Sequence, residues 1–348
     1  MIRLECDYNA GALPEVLDAI VQTNTEQTCG YGEDIYCDRA RKKIIEKCQN
    51  DKVAVHFVVG GTQANALLIA SALRPHEAVL SADTGHINVH ETGAIEATGH
   101  KVMSLPSVDG KINATQIEQA YHAHHNDSTH EHMTKPAMVY ISHPTENGTL
   151  YSLAELTAIS AVCKVCDLLL FVDGARLGYG MAALPEVDYA ALAMYTDAFS
   201  IGGTKVGLLF GEALVISHPS LQKDFRYMMK QRGAMLAKGR LLGVQFDVLM
   251  QDDYYLTQAS RANDYAQRIK QKCLQHGLPL LSDTICNQVF PIFPDALLAV
   301  LEKEFAFSYW QRIDETHSAI RFCPSVLTPE SDINALLTFI DGLFPCNQ

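Results

Sequence analysis

Short apolar runs alternate with helical patterns through the first two-thirds of this 348-residue chain. Each run has the length of a buried strand, and residues with helical periodicity follow it. Strands that alternate with helices in this way are typical of a mostly parallel sheet with crossover helices on its faces. The predicted strands are 53–57, 78–81, 101–105, 137–142, 168–172, 198–201 and 208–211. The alternation therefore predicts an α/β fold.

The last third of the chain follows a different pattern. Residues 227–255 form one helical stretch, in which Gly233, Gly239 and Gly243 allow close packing. Beyond it, short strands are mixed with helices: predicted strands 289–293 and 319–323, and predicted helices near 255–276, 295–305 and 331–344. Because domains hold roughly 150 residues, we predict a large domain over residues 1–245 and a small α+β domain over residues 246–348.

The net charge of the chain limits the kinds of partner that the protein can bind. The 27 basic and 40 acidic residues give a net charge of −13, which argues against partners such as nucleic acids and anionic membranes. No apolar run approaches the ~18 residues that a membrane helix needs. The amino-terminal residues show neither a signal peptide nor an Arg-rich presequence. We therefore expect a cytoplasmic protein whose partner is a small molecule.

Two further patterns have a chemical and a structural interpretation. Cys163 and Cys166 have redox spacing, but they lie inside a predicted helix over 153–166 rather than at its start, so buried packing is favoured. The His-rich segment 115–134 has no cysteine or carboxylate at the spacing of a closed metal site. A helix end and a solvated loop are favoured there, and we predict no metal site.

One lysine and one aspartate carry the first chemical signal. Lys205 lies among Gly, Ser and Thr residues, and small neighbours leave room for a flat aldehyde that forms a Schiff base with the amine. Asp173 directly follows the apolar run 168–172, at the sheet edge where α/β folds bind ligands. A carboxylate there can keep a pyridine nitrogen protonated. Taken singly, each motif could also be an ordinary turn or loop.

Three other loops follow predicted strands and add polar groups at the same edge. Gly61, Thr62 and Gln63 form a glycine turn and helix start, where backbone amides and the helix dipole favour a phosphate. His86 follows the next strand and could stack on a cofactor ring. Glu146 follows the strand 137–142 and is a possible base. The shared position at strand ends favours one site over chance motifs.

The chain resembles the threonine aldolase family, which stands with the β-eliminating lyases among the fold-type I pyridoxal phosphate enzymes. The resemblance spans nearly the whole chain. Its most specific part is the aspartate of an Asp-Gly-Ala-Arg motif together with the lysine. The motifs that carry it are Tyr31-Gly32-Glu33-Asp34, Gly61-Thr62-Gln63-Ala64-Asn65, Gly85-His86, Val172-Asp173-Gly174-Ala175-Arg176, Lys205 and Ile320-Arg321-Phe322.

The resemblance implies a cofactor, pyridoxal 5′-phosphate, and a role for each residue around it. Lys205 would form the Schiff base, Asp173 would contact the pyridine nitrogen, and His86 would stack on the ring. Gly61 and Thr62, with Gln63 beside them, would hold the phosphate.

The resemblance also implies a substrate site and an assembly. Arg176 and Arg321 would bind the substrate carboxylate, for which a guanidinium is a matching bidentate partner. Family members form dimers with shared active sites and often pair into tetramers. The Tyr31 region would then reach a neighbouring subunit.

Two departures from the family pattern leave the catalytic base open. Glu146 stands where many members have histidine, and Cys6 stands where many have serine. The base could be Glu146, His86 or a bound water. The expected activity is cleavage of L-threonine, L-allo-threonine or a related β-hydroxy-α-amino acid to glycine and an aldehyde. The alternatives are β-elimination on another amino acid and a catalytically silent cofactor-binding protein.

Overall fold

The computed structural model describes residues 1–344, and the bounds of its elements follow from hydrogen bonding along the chain. The strands are β1 (Ile2–Arg3), β2 (Ala54–Val58), β3 (Glu77–Ala82), β4 (Lys101–Leu105), β5 (Lys135–Ser142), β6 (Leu169–Asp173), β7 (Ala198–Gly202), β8 (Glu212–Ile216), β9 (Ile292–Pro294), β10 (Phe305–Ala306), β11 (Ser308–Arg312) and β12 (His317–Arg321).

The helices cover both halves of the chain. They are α1 (Pro14–Thr23), α2 (Ile35–Cys48), α3 (Gly61–Ala72), α4 (His86–Val89), α5 (Ala114–His125), α6 (Leu153–Val165), α7 (Leu177–Ala183), α8 (Tyr189–Tyr195), α9 (Pro219–Gln222), α10 (Phe225–Gln231), α11 (Arg240–Leu249), α12 (Tyr254–Gln275), α13 (Asp295–Leu301) and α14 (Glu330–Leu343). Short 3₁₀ turns form at Glu96–Thr98, His130–His132 and Thr204–Val206.

The central sheet has seven strands in the order β2-β8-β7-β6-β5-β3-β4. Its strands run parallel except β8, which is antiparallel to both of its neighbours. Two separate apolar clusters pack against its faces, and every residue of β3, β7 and β8 is buried. Burial on both faces explains why these strands are mostly apolar along their length rather than alternating. The predicted α/β fold with a mostly parallel sheet is confirmed.

One strand of this sheet was predicted wrongly. Residues 208–211 form a turn, and the strand begins at Glu212. Gly207 and Gly211 both have positive φ, at 97° and 130°, and the Gly211 carbonyl oxygen accepts the amides of Gly203 and Thr204. Leu208 is buried and Phe210 packs partly against the core, whereas Leu209 is 43% exposed, so apolar content alone misled the prediction.

The stretch 227–255 is likewise three helices rather than one. Helix α10 ends before Gly233, whose φ is 68°. Helices α11 and α12 follow after short breaks. Gly243 in α11 does provide the close packing expected of it, because a Cβ there would lie 2.4 Å from the backbone nitrogen of Cys37 in α2.

The carboxy-terminal part is built on a small antiparallel sheet in the order β11-β12-β9, covered by α12, α13 and α14. Strand β9 begins at Ile292, so the first part of the predicted strand 289–293 makes only isolated bridges, from Val289 to Phe322 and from Pro291 to Leu280. Strand β1 pairs with β10, which ties the amino terminus to this part. The division at 245/246 falls inside α11 and stays a prediction.

The two patterns with alternative interpretations take ordinary structural positions. Cys163 lies in α6 and Cys166 directly follows it, and both thiols are buried. Burial raises the pKa of Cys163 to about 12, whereas a redox thiol needs a lowered pKa. The His-rich segment covers most of α5, with three of its histidines in the last turn of that helix, and continues into the 3₁₀ turn at His130–His132. Over residues 1–344, no helix is both long and apolar enough to cross a bilayer.

Candidate active site

A cavity of about 300 Å³ opens at the carboxyl edge of the parallel strands. A second cavity of about 520 Å³ adjoins it and reaches the small carboxy-terminal sheet. The two cavities share Tyr8, His86, Glu146, Arg176 and Lys205 in their walls. The predicted residues that line at least one of them are Gly61, Thr62, His86, Glu146, Asp173, Arg176, Lys205 and Arg321. The strand-end argument thus brings together most of the predicted site.

Lys205 lies in the 3₁₀ turn that follows β7. The Tyr179 hydroxyl donates to the Lys205 carbonyl oxygen at 2.6 Å and fixes the turn. Burial, followed by the nearby charge of Arg176, lowers the pKa of the Lys205 amine. A lowered pKa favours the neutral amine, which is the nucleophilic form.

Asp173 ends β6 and is 5% exposed. Its Oδ2 accepts the Tyr140 hydroxyl at 2.6 Å and the Asn65 amide at 2.9 Å, and its Oδ1 accepts the Ala175 N–H at 2.9 Å. Burial alone would raise the pKa of Asp173, but the facing His86 and these hydrogen bonds hold it below its usual value. The site therefore contains a fixed, ionised carboxylate at the strand end.

The buried Glu91 contacts His86 directly and is connected to Asp173 through Asn65, whose amide donates to both carboxylates. Glu91 Oε1 accepts the Asn65 amide at 2.7 Å and lies 2.7 Å from His86 Nδ1. A carboxylate oxygen accepts hydrogen bonds, so the tautomer that fits this contact carries its proton on Nδ1. The pair orients the imidazole and fixes its tautomer, in the manner of other carboxylate-histidine pairs.

Glu146 lies against the backbone of His86. Its Oε1 accepts the His86 N–H at 2.9 Å and the Ser142 hydroxyl at 2.6 Å. Burial raises the pKa of Glu146, with a smaller contribution from the charge of Asp173, while Ser142 and His86 oppose the shift. A carboxylate whose pKa is raised toward neutrality suits general base or acid chemistry.

Arg176 is held in place by an aspartate near the amino terminus. Its Nε donates to Asp7 Oδ2 at 2.7 Å and its Nη2 donates to Asp7 Oδ1 at 2.9 Å, with both side chains almost fully buried. Asn287 also donates to Asp7 Oδ2 at 2.9 Å. Within residues 1–344, Nη1 of Arg176 has no protein partner. The fork facing Asp7 is occupied, and Nη1 is the donor group that stays available to a ligand.

Replacing Asp7 by Asn is expected to make the free energy of unfolding fall less steeply as the pH drops into the acid range. Burial alone would raise the pKa of Asp7, but Arg176 and Lys205 hold it at about 2. Since the unfolded value is about 3.9, this stabilisation is full above that value and is lost as the pH falls toward 2. From pH 6 to pH 3 the unchanged chain should lose about 1 kcal/mol more than Asp7→Asn.

This expectation can be measured by urea unfolding at each pH, with the exposed Asp18→Asn in α1 as the control. Equal pH slopes in the unchanged chain and in Asp7→Asn would contradict the assignment of the buried ion pair.

Arg321, the last residue of β12, lines the second cavity. Its Nη2 donates to the Glu5 carbonyl oxygen at 3.0 Å and its Nη1 donates to Gln288 at 3.2 Å. The guanidinium also lies over the Trp310 ring, 5.2 Å from its centroid. Both predicted arginines therefore border the joined cavities, each positioned by contacts of its own.

The predicted phosphate loop is open on the cavity side. Helix α3 begins at Gly61 behind Gly60, and no heavy atom lies within 4 Å of a Cβ placed on either glycine. Thr62 also lines the cavity. Gln63 does not, because its side-chain oxygen accepts the Val59 N–H at 3.1 Å. The loop offers backbone amides at the start of a twelve-residue helix.

Tyr31 lies outside the walls of both cavities. It is 46% exposed, its φ is 59°, and the Lys230 amine lies 4.6 Å from its ring centroid. A single chain does not bring Tyr31 to the site, and its predicted role in a partner subunit stays a prediction.

Several residues of the site were missed by sequence reasoning. They are Asp7, Tyr8, Asn65, Glu91, Tyr140 and Glu212, and they lie in the cavity wall or directly behind it. Tyr8 is the neighbour of Asp7 and lines both cavities. Asn65 was visible as the last residue of the glycine-loop motif, one helical turn beyond Gly61. The others have no local pattern that announces them.

A sequence description of the beta-eliminating lyase family matches residues 4–295 of the chain. The chain belongs to the beta-eliminating lyase family. This family member is 31% identical, over 305 residues, to a low specificity L-threonine aldolase from a Pseudomonas species, with 86% of each chain covered. The resemblance found in the sequence is therefore confirmed.

Solved structures also resemble this beta-eliminating lyase. Threonine aldolase from Leishmania major is 40% identical and superposes with a TM-score of 0.96, covering 99% of this chain and 100% of that one. Alanine-glyoxylate aminotransferase from a Nostoc species is 14% identical with a TM-score of 0.71, covering 98% and 94%. At that identity the second comparison shows a shared fold alone. The predicted fold-type I architecture is confirmed.

Proposed function

We propose that this beta-eliminating lyase is a pyridoxal-phosphate-dependent aldolase that cleaves L-threonine, L-allo-threonine or a related β-hydroxy-α-amino acid to glycine and an aldehyde. The observation that carries the proposal is the joint lining of one cavity by Lys205, Asp173 and Arg176. These three provide an amine, a fixed carboxylate and a carboxylate-binding cation. The relatives named threonine aldolases support the substrate class.

The residues present fit pyridoxal phosphate. Lys205 has the lowered pKa of a nucleophilic amine, and buried Asp173 is suited to pair with a protonated ring nitrogen. The Gly60–Gly61 turn is open to a phosphate, and His86 is held by Glu91 in the cavity wall. When bound, this cofactor supplies an electron sink for the electrons of a bond broken at Cα.

Substrate orientation is assigned to the two arginines. Arg176 and Arg321 border the joined cavities from opposite parts of the chain. A carboxylate held by both would have a fixed direction, and a fixed direction decides which bond at Cα stands perpendicular to the cofactor plane. Because Asp7 occupies the Nε side of Arg176, replacing Arg176 would also leave a buried carboxylate unpaired.

We assign Glu146 as the base that accepts the β-hydroxyl proton of the substrate. This carboxylate is half-buried, has a raised pKa, and lies in both cavity walls beside His86. It would accept the hydroxyl proton while the Cα–Cβ bond breaks. His86 and a bound water remain the alternatives.

Replacing Glu146 by Gln is expected to lower kcat/KM by on the order of 100-fold or more, the loss typical of a general base. Replacing Ser142 by Ala should keep the base but remove a hydrogen bond that favours its ionised form. Since the base must be ionised, activity falls as the pH drops through its pKa. The acid limb of the Ser142→Ala pH profile should therefore move to higher pH, and an unmoved limb in Ser142→Ala together with near-normal turnover in Glu146→Gln would assign the base elsewhere.

Product analysis tests the function itself. The cofactor-loaded chain is mixed with L-threonine, L-allo-threonine and β-phenylserine, and glycine is assayed together with the matching aldehyde. Glycine and aldehyde in equal amounts support the proposal and rank the substrates. A 2-oxo acid with ammonia would favour β-elimination, which the family assignment makes the second candidate. A spectral response without product, or none at all, would favour a silent cofactor-binding protein.

The assembly and location stay part of the proposal. We propose a dimer or tetramer with shared active sites, in which Tyr31 reaches the neighbouring subunit, and a cytoplasmic location. The 46% exposure of Tyr31, outside the two cavities of its own chain's candidate site, supports a role outside the single chain.

A further inference from the structure

Glu212 is a buried carboxylate in the wall of the candidate active site. It is 3% exposed and lines the first cavity together with Thr204 and Lys205. Because β8 is antiparallel to β2 and β7, its first residue lies at the same edge as the last residues of the parallel strands. Within residues 1–344, the buried Oε2 of Glu212 has no hydrogen-bond partner. The roles proposed above leave this carboxylate unexplained.

The charges around Glu212 and Lys205 come from several elements. Glu212 faces Lys205 of the 3₁₀ turn and Asp173 of β6, and Tyr255 of α12 lies nearby without adding a positive charge. Burial raises the pKa of Glu212 to about 8, against the charge of Lys205 and the weaker opposing effects of Thr204 and the Gly203 backbone. Lys205 in turn faces Arg176, Asp7 and Asp173 as well as Glu212. Each member of the pair thus has a further neighbour of its own charge sign.

One proton can be arranged on this pair in two ways. The pair can be an ammonium with a carboxylate, or a neutral amine with a carboxylic acid, and both have the same net charge. Burial penalises charged forms. Arg176 disfavours a second cation at Lys205, and Asp173 disfavours a second anion at Glu212. If Glu212 is protonated, the oxygen that has no partner belongs to a neutral carboxyl group and does not carry a buried negative charge.

We propose that Glu212 holds the proton that Lys205 gives up, so that the pair is a carboxylic acid and a neutral amine at neutral pH. The inference rests on the proposed function, in which Lys205 must be a nucleophile. The balance is simple: one N–H bond at Lys205 Nζ breaks, one O–H bond at Glu212 forms, and the net charge of the pair is unchanged. Glu212 acts through Lys205 and is therefore a positioning residue.

The first test looks for the acid directly. The full chain, freed of cofactor, and its Glu212→Gln variant are compared by infrared difference spectroscopy at pH 7. We expect the absorption of a protonated carboxyl group in the unchanged chain, its absence in Glu212→Gln, and its disappearance as the pH rises past about 8. Only carboxylate absorption assigned to Glu212 at pH 7 would overturn the proposal.

The matched control is Glu77→Gln. Glu77 is a buried glutamate at the first residue of β3, so it lies at the opposite edge of the same sheet. The protonated-carboxyl band should survive in Glu77→Gln, because that variant leaves Glu212 in place. Loss of the band in both variants would show that it does not belong to Glu212 and would overturn the proposal.

A second measurement does not depend on any variant folding. Lysines of the unchanged, cofactor-free chain are labelled with trace acetic anhydride from about pH 5 to about pH 11.5, a range that includes the ordinary lysine value, and Lys205 is compared with the exposed Lys101 by mass spectrometry. The labelling midpoint of Lys205 should lie well below the ordinary lysine value of about 10.4. In Glu212→Gln the profile should overlay the unchanged one below pH 8, because a neutral amide replaces a neutral acid.

The opposite arrangement gives opposite results. If the pair is an ammonium and a carboxylate, the Lys205 midpoint in the unchanged chain will match that of Lys101, or it will fall by more than about one pH unit in Glu212→Gln, since a tenfold change in proton affinity is one unit. Either result would overturn the proposal. Neither measurement requires threonine cleavage, so a failure here is distinguishable from a failure of the proposed function.

Discussion

Replacing Lys205 by Ala is expected to lower glycine formation from L-threonine by several orders of magnitude. Lys205 is the amine in the wall of both cavities, and its lowered pKa favours the nucleophilic form. Alanine cannot form the covalent link to an aldehyde. Loss of the link can be followed apart from activity, by borohydride reduction and mass spectrometry of the peptide that contains residue 205.

The matched control for this variant is Lys101→Ala. Lys101 begins the edge strand β4 and its side chain is exposed. Its replacement should leave both covalent attachment and glycine formation unchanged. Normal cleavage by Lys205→Ala, or a reduced cofactor adduct on a different lysine, would refute the assignment of Lys205.

Replacing Asp173 by Asn is expected to lower kcat by on the order of 100-fold to 1000-fold, the scale of losing one preorganised electrostatic group. The amide has nearly the shape of the carboxylate, so cofactor binding should persist. It lacks the negative charge that keeps a ring nitrogen protonated. Turnover and the visible absorbance of bound cofactor are measured on the same sample, and near-normal turnover at full occupancy would contradict the role.

Tyr140→Phe provides the graded comparison for Asp173. It removes the 2.6 Å hydrogen bond to Asp173 Oδ2 and leaves the charge in place. Since a hydrogen bond to a charged group contributes about 1.5–3 kcal/mol, the loss of rate should be roughly 10-fold to 160-fold and smaller than that of Asp173→Asn. A loss as large as that of Asp173→Asn would mean that geometry, rather than charge, dominates at this position.

The parts of the site that could be predicted from the sequence share one property. Asp173, Glu146 and Lys205 follow apolar runs closely, and parallel strands deliver the residues after them to one edge. No detailed structure is needed for that inference. Glu212 reaches the same edge by the opposite rule, because it precedes its strand and β8 is antiparallel. Because the predicted strand was placed at 208–211, Glu212 was not recognised as a residue of this edge.

The supporting residues could not be predicted for a different reason. Asp7 contacts Arg176 across 169 positions of sequence, and Glu91 and Tyr140 act through side-chain contacts that only the folded chain defines. Strand order and side-chain rotamers decide such contacts, and neither has a local pattern. The sequence thus indicated groups that line the cavities, while the groups that orient them required the fold.

Cleavage of L-threonine in deuterium oxide tests the central claim most directly. If the Cα–Cβ bond breaks and the resulting carbanion is quenched from solvent, early glycine carries one carbon-bound deuterium and forms in equal amount with acetaldehyde. We predict this result for the unchanged chain and its absence in Lys205→Ala. Formation of 2-oxobutanoate and ammonia without glycine would contradict the aldolase and establish elimination at the same site.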